Sequence, residues 1–229
     1  MTKKTFLGAM AVVTAVALTG SALVASNMGF KLNYQLKAGD AGVTSKTGTN
    51  VLALPDNRQT GLTTSITLMN DIGFTSVANV QNFIKQIDGL DVYTGRKGSP
   101  KPDFALNAGA AVFVAMNPAS TVNYIVVGSD DPALAYNLKA GDAGVTSKTG
   151  TNFYAYNYHQ TATDAITLMN DIGFTAVANV QNFIKQTDGL DTYTGRKGSP
   201  KPNFVMVPGA GYFVAMNPAS TVNYIPSHY

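Results

Sequence analysis

The chain contains no cysteine, no tryptophan and no glutamate, and all 13 of its acidic residues are aspartates. Without cysteine it can form no disulfide, no thiolate metal site, no c-type haem attachment and no cysteine nucleophile. The folded core must therefore be held together by packing alone. A chain poor in charge and rich in Thr, Asn, Gly and Tyr has the composition of a β-rich bacterial surface or extracellular protein.

Histidine is almost absent as well. His159 and His228 are the two histidines, and they do not stand at the spacing of a zinc-binding helix. Asp40 and Asp142 lie in glycine-rich loops, but a single Asp supplies too few oxygen ligands for calcium. No phosphate-loop, dinucleotide-binding or nucleic-acid motif is present. We therefore predict a protein that is not an enzyme and has no catalytic residues, no metal and no cofactor.

The first 26 residues differ from the rest. Lys3 and Lys4 precede an apolar run from Phe6 to Leu18, and small residues follow up to Ser26. This is the plan of a cleavable secretory signal, and its apolar run is too interrupted for a good membrane span. We expect export to the extracellular space or the cell surface, with no membrane attachment after cleavage.

Cleavage would also change the charge balance. The formal net charge of +3 counts 16 basic against 13 acidic residues. Loss of Lys3 and Lys4 leaves 16 − 2 = 14 basic residues, and 14 − 13 gives a net charge of +1. Net charge therefore gives no support to a nucleic-acid partner.

The remaining sequence is a tandem duplication. Leu36 to Asn50 recurs letter for letter as Leu138 to Asn152, and Ile66 to Ile125 matches Ile166 to Ile225 at 50 of 60 positions. Self-identity over this length indicates one folding unit present twice. We predict a signal segment at 1–26, a first β-rich domain at 27–128 and a second at 129–229.

Within each repeat the pattern is mostly that of short strands. Phe30, Leu32, Tyr34 and Leu36 alternate with polar residues, which predicts a half-buried strand. Short apolar runs and turn signals then recur about every 10 residues. One helix is expected, capped by Thr63 or Thr64 in repeat 1 and by Thr163 in repeat 2, and closed by Gly73 and Gly173. The predicted fold is mainly β: two tandem copies of a small β-sandwich or barrel-like domain, each with one short helix.

Four motifs recur along the chain: GTN before a strand, LMNDIGF, YTGRKG, and Pro-Gly-x-Gly-Tyr-Phe-Val, of which only Pro208 to Val214 keeps the full form. With these motifs the chain resembles exported bacterial proteins built from tandem β-rich repeats. The resemblance implies secretion and a β-rich fold, and it carries no assigned activity.

Two candidate binding features stand out. Tyr154, Tyr156 and Tyr158 alternate along one strand of repeat 2 and, with Tyr212, could form an aromatic face for sugars or a protein. Alternatively, Tyr154 and Tyr156 replace core residues Leu52 and Leu54, with compensating changes nearby.

The loops at 95–102 and 195–202 carry cations suited to an anionic contact or to simple solvation: Arg96, Lys97, Lys101, Arg196, Lys197 and Lys201.

Two functions follow from these features. The first is a structural protein that self-associates into an extracellular filament or surface array. Its assembly strand would be Phe30, Leu32, Tyr34 and Leu36, left free by signal cleavage to pair with the next subunit. The same strand lies inside the chain in repeat 2, so it could equally complete its own domain. The alternative is a glycan-binding or adhesion module that uses the tyrosine face of domain 2.

Overall fold

The computed structural model describes residues 29–38, 48–58, 61–85, 89–93, 103–109, 111–140, 150–185, 189–193 and 203–228. The predicted signal segment and both basic loops lie outside these residues. In repeat 1 the elements are β1 (Phe30–Leu36), β2 (Gly48–Ala53), β3 (Asn57–Arg58), α1 (Ser65–Ile72), β4 (Val77–Lys85), β5 (Gly89–Tyr93), β6 (Ala111–Met116) and β7 (Val122–Ser129). In repeat 2 they are β8 (Tyr136–Leu138), β9 (Gly150–Ala155), α2 (Ala165–Ile172), β10 (Val177–Lys185), β11 (Gly189–Tyr193), β12 (Gly211–Met216) and β13 (Val222–Tyr224).

The strands form four open antiparallel sheets. Repeat 1 contains a sheet in the order β2-β6-β4-β5, and repeat 2 contains its counterpart in the order β9-β12-β10-β11. A second sheet in repeat 1 has the order β1-β7-β3, and β8 pairs with β13 in repeat 2. The prediction of a mainly β fold with one short helix in each repeat is confirmed.

The core of each repeat lies between its two sheets and its helix. In repeat 1, Leu36 and Val126 of the smaller sheet meet Val114 of the larger sheet and Leu68 of α1 in one cluster. The corresponding residues of repeat 2 form a second cluster. The apolar alternation of β1 therefore places Leu36 and Tyr34 in the core of its own repeat, whereas the ring of Phe30 lies 4.8 Å from that of Tyr158 in repeat 2.

Both helices are short and capped by side chains. Thr64 caps α1 in a capping box with Thr67, and Gly73 ends the helix with φ 123°. In repeat 2 the cap is Asp164, so the prediction of Thr163 is wrong by one residue. Asp is as good a cap as Thr because its oxygen also accepts the amide of the third helical residue. In the described part of the chain no helix is long and apolar enough to cross a membrane.

The two repeats pack against each other with approximate two-fold symmetry. A β-carbon on Gly209 would lie 3.0 Å from Leu32, and one on the equivalent Gly109 would lie 2.6 Å from the equivalent Leu134. At the boundary between the repeats, the ring centroids of Phe113 and its counterpart Phe213 are 5.6 Å apart. Reciprocal contacts between equivalent residues are the signature of an isologous interface.

This packing buries the central strands on both faces. All six residues of β6 and all six of β12 are buried, because one face lies in the core of its own repeat and the other faces the opposite repeat. Ala53, Ala111 and Ala155 form a small cluster at this boundary. Their small side chains let the sheets approach closely.

Candidate functional site

Three of the four tyrosines of the predicted binding face are buried. The exposed fractions are 0% for Tyr154, 4% for Tyr156 and 1% for Tyr212, whereas Tyr158 is half-buried. An aromatic platform for sugar rings requires exposed ring faces, so the predicted face is wrong for these three residues. Tyr154 and Tyr156 instead occupy the positions that Leu52 and Leu54 fill in the core of repeat 1.

The buried hydroxyl groups have partners inside the fold. The Tyr154 hydroxyl donates to the buried Gln160 side chain, and the Tyr212 hydroxyl accepts from the Val207 amide at 2.7 Å. Burial raises the pKa of Tyr154 well above its usual value and raises the pKa of Tyr212 to about 12. Both groups therefore stay protonated and serve packing.

The predicted assembly strand is paired within its own chain. β1 pairs with β7 over its whole length, from Phe30 opposite Gly128 to Leu36 opposite Val122. Leu32 and Leu36 are buried, Tyr34 and Phe30 are half-buried, and the Tyr34 hydroxyl donates to the Ala53 carbonyl. The expectation of a free strand is therefore wrong for this state of the chain.

β1 nevertheless lies at the edge of its sheet. Among the described strands it pairs with β7 alone. A groove of about 380 Å³ runs beside it, with residues 31–35 on one side and residues 207–210 of repeat 2 on the other. Val51 and Tyr158 complete its lining. The groove thus lies between the edge strand of one repeat and a turn of the other.

A polar cluster lies at the junction of the repeats. It contains two buried carboxyl groups, a buried amide and both histidines of the chain, and we call it the junction cluster: Asp56, Asp130, Asn157, His159 and His228. The Asn157 amide donates to Asp56 at 2.8 Å. The nitrogen Nε2 of His228 lies 3.3 Å from Oδ2 of Asp130, and Nδ1 of His159 lies 4.0 Å from the same oxygen.

The carboxyl groups of the junction cluster favour their neutral forms. Burial, followed by the hydrogen bond and charge of Asp130, raises the pKa of Asp56 to about 7 against one hydrogen bond from the Asp131 amide. Burial also raises the pKa of Asp130. Two acids that share a desolvated position cannot both ionise without a large cost. The cluster is therefore suited to holding a proton near neutral pH.

No motif in the sequence connects the two histidines with Asp56 or Asp130. A usable signal existed, because residues 55–58 diverge completely from their counterparts 157–160. In the folded chain these two divergent segments meet at the junction cluster. The part of the chain that the structure describes contains no group of three or more His or Asp side chains suited to a metal ion.

The six cations of the predicted basic loops lie outside the described residues. Comparison with protein-family models, with curated proteins and with solved structures found no match to the chain.

Proposed function

We propose that the protein is an exported, non-catalytic structural protein that self-associates into an extracellular filament or surface array. The observation that carries the proposal is the edge position of β1 beside an open groove. Edge strands are the usual sites at which one sheet extends another, because main-chain groups along the edge can accept a second strand. The occupant we propose is an edge strand from a second copy of the chain.

The approximate two-fold symmetry supplies a second edge. β8 is the counterpart of β1 and pairs with β13 alone among the described strands. A chain with two edges on different repeats can pair β1 of one copy with β8 of the next. Head-to-tail contacts of this type propagate unless the rotation between copies closes a ring.

Exposed apolar side chains near these edges support the same proposal. Ile125 and Val127 lie two residues apart on β7 and are 43% and 48% exposed, and Ile225 in repeat 2 is 52% exposed. Ile125 and Val127 lie opposite Asn33 and Lys31 of β1 in the sheet register. An apolar patch with a polar border is typical of a contact surface.

Electron microscopy with light scattering on the mature chain tests the proposal. Ordered filaments or sheets are expected, and an excess of a peptide with the sequence of Phe30–Leu36 should stop their growth by occupying the paired edge. The control is the same peptide with proline in place of Asn33, because proline lacks the main-chain donor and disrupts strand pairing. A monomer at all concentrations would contradict self-association, and growth unaffected by the peptide would contradict pairing through β1.

Cross-linking gives a second readout because the chain has no cysteine of its own. Asn33→Cys chains co-assembled with Asn137→Cys chains should form disulfides between subunits, because the proposed pairing places β1 of one copy beside β8 of the next and a disulfide requires Cα atoms within about 7 Å. Asn70→Cys, on the exposed side of α1, is the matched control and should stay reduced. Equal cross-linking at both positions would show random contact.

A further inference from the structure

The junction cluster joins four separate segments of the chain. Asp56 lies between β2 and β3, Asp130 follows β7, Asn157 and His159 follow β9, and His228 lies beyond β13. The segment that carries His228 is held in place by a bridge between Gln160 and His228 and by a hydrogen bond of 2.8 Å from the Thr161 amide to the Ser227 carbonyl. A change in the charge of the cluster therefore acts on both repeats and on this terminal segment.

Asp130 is buried in the junction cluster with few groups near enough to compensate its charge. Asp130 is 3% exposed, and neither of its carboxyl oxygens accepts a hydrogen bond from an amide or hydroxyl group of the described residues, which leaves a proton shared with Asp56 as its hydrogen bond. The titratable and charged groups that face the pair from the surrounding elements are Arg58, Asp131, Tyr136, His159 and His228. Of these, the two histidines alone lie within ion-pair distance of Asp130.

One proton is enough to satisfy the two acids together. A protonated Asp56 can donate to Asp130, and the pair then holds one negative charge, which lies 3.3 Å from Nε2 of His228. When the shared proton is lost, the same space holds two negative charges. Uncompensated buried charge is strongly unfavourable.

We propose that the junction cluster is a proton-operated latch, in which one proton shared by Asp56 and Asp130 holds the two repeats and the terminal segment together. Mildly acidic surroundings close the latch, and a rise in pH loosens it. The inference goes beyond the proposed function, since it concerns the single chain whether or not the chain self-associates.

The direction of the effect follows from proton linkage. An unfolded Asp releases its proton near pH 3.8, whereas the folded chain holds that of Asp56 to a pH of about 7. The folded state therefore binds more protons between these values, and its stability falls as the pH rises through that window.

Thermal unfolding of the full mature chain between pH 5 and pH 8.5 tests the latch. The unfolding temperature of the parent should fall across this range, and Asp130→Asn should flatten the profile by removing one acid of the pair. Asp103→Asn is the matched control, since it makes the same charge change at the start of α1, outside the junction cluster. Parallel profiles for the parent and Asp130→Asn would overturn the proposal.

Two measurements keep the test decisive if Asp130→Asn fails to fold. Infrared spectra of the unmodified chain should show a protonated carboxyl band at pH 6 that is lost by pH 8.5, and its absence at pH 6 would overturn the proposal.

Hydrogen exchange should show the protection factor of the Thr161 amide falling at least tenfold from pH 6 to pH 8.5. The Leu106 amide, bonded to Thr63 in the core of repeat 1, should change less. Equal changes at both amides would also overturn a local latch.

Discussion

Gly211 faces Ala111 across the interface between the repeats, and a β-carbon on Gly211 would lie 2.9 Å from that of Ala111. Its closest neighbour would be Cγ1 of Val51, at 2.6 Å. These separations are shorter than van der Waals contact allows. Glycine is therefore required at this position by the approach of the opposite repeat, while its equivalent in repeat 1 carries a methyl group.

Gly211→Ala is expected to destabilise the chain by about 1–3 kcal/mol, the usual cost of overpacking a closed interior. Val51→Ala removes the nearest obstruction, so the double variant should recover part of the loss, with a coupling of about 0.5–3 kcal/mol. Denaturant unfolding of the four chains measures both quantities.

The control is Gly29→Ala, because a β-carbon there would meet its nearest neighbour at 3.6 Å, an ordinary contact. Its stability should stay within about 0.5 kcal/mol of the parent. A harmless Gly211→Ala would show that the sheets are further apart than described.

Tyr154→Phe should cost about 1–3 kcal/mol, because it leaves the buried acceptor of Gln160 without its donor. Its ring packing, including the contact with Tyr136 at 4.7 Å between centroids, would be unchanged. Thermal unfolding measures the loss, and Tyr158→Phe at the half-buried position serves as the comparison. Equal effects at the two sites would count against the assigned hydrogen bond.

Arg58→Lys tests the hydrogen bonds that the Arg58 side chain makes to main-chain carbonyls in repeat 1. The guanidinium donates to the carbonyls of Leu62 at 2.6 Å and Asn107 at 3.1 Å, and also to that of Leu106. Lysine cannot reproduce this planar set of donors, and we expect a loss of about 1.5–3 kcal/mol in chemical unfolding. The reverse exchange at an exposed site, Lys139→Arg, should be neutral. If Arg58→Lys leaves stability unchanged, the guanidinium hydrogen bonds do not stabilise the fold as we propose.

The carboxylate at the start of the helix lies on a different residue in each repeat, and we call this difference the charge exchange. Repeat 1 has Thr64 and Asp103 where repeat 2 has Asp164 and Asn203, so each helix start holds one carboxylate. Burial works to raise the pKa of Asp103, but hydrogen bonds from Ser65, Thr64 and the Ile66 amide outweigh burial and lower it. The stabilisation from Asp103 is therefore present above about pH 4 and is lost as the pH falls further.

Thr64→Asp should place a second carboxylate beside Asp103 and cost about 1 kcal/mol at pH 7, the repulsion of two charges about 4 Å apart in water. Adding Asp103→Asn should restore stability, because the pair then matches that of repeat 2. At pH 3 the difference between the single and double variants should shrink. Urea unfolding at both pH values measures it, and failure of the second change to rescue the first would contradict the exchange.

The parts of the fold that the sequence predicted depend on local signals. The alternation of Phe30 to Leu36 marks β1, and a threonine cap with a closing glycine marks α1. Such patterns depend on which face of an element is buried, and they need no knowledge of distant segments. The missed cap at Asp164 is a small exception, since two adjacent residues could each serve.

The remaining features depend on how the repeats meet. β12 is buried on both faces, so Tyr212 could not be assigned to the surface or the core from its own strand pattern. The junction cluster brings Asp56 to Asn157 across 101 positions of sequence. Contacts of this kind come from the packing of one repeat on the other, and no local periodicity records them.

Because the two repeats are joined in one chain, the interface between them can be weak and still stay closed. The six residues between β7 and β8 hold the two repeats at an effective concentration of about 1 mM. At that concentration an interface with a dissociation constant of about 10 µM would stay closed about 99% of the time. Two separate copies at nanomolar concentration would remain apart. Fusion therefore allows the two sides of the interface to diverge, and the pairing of Ala111 with Gly211 is one such divergence.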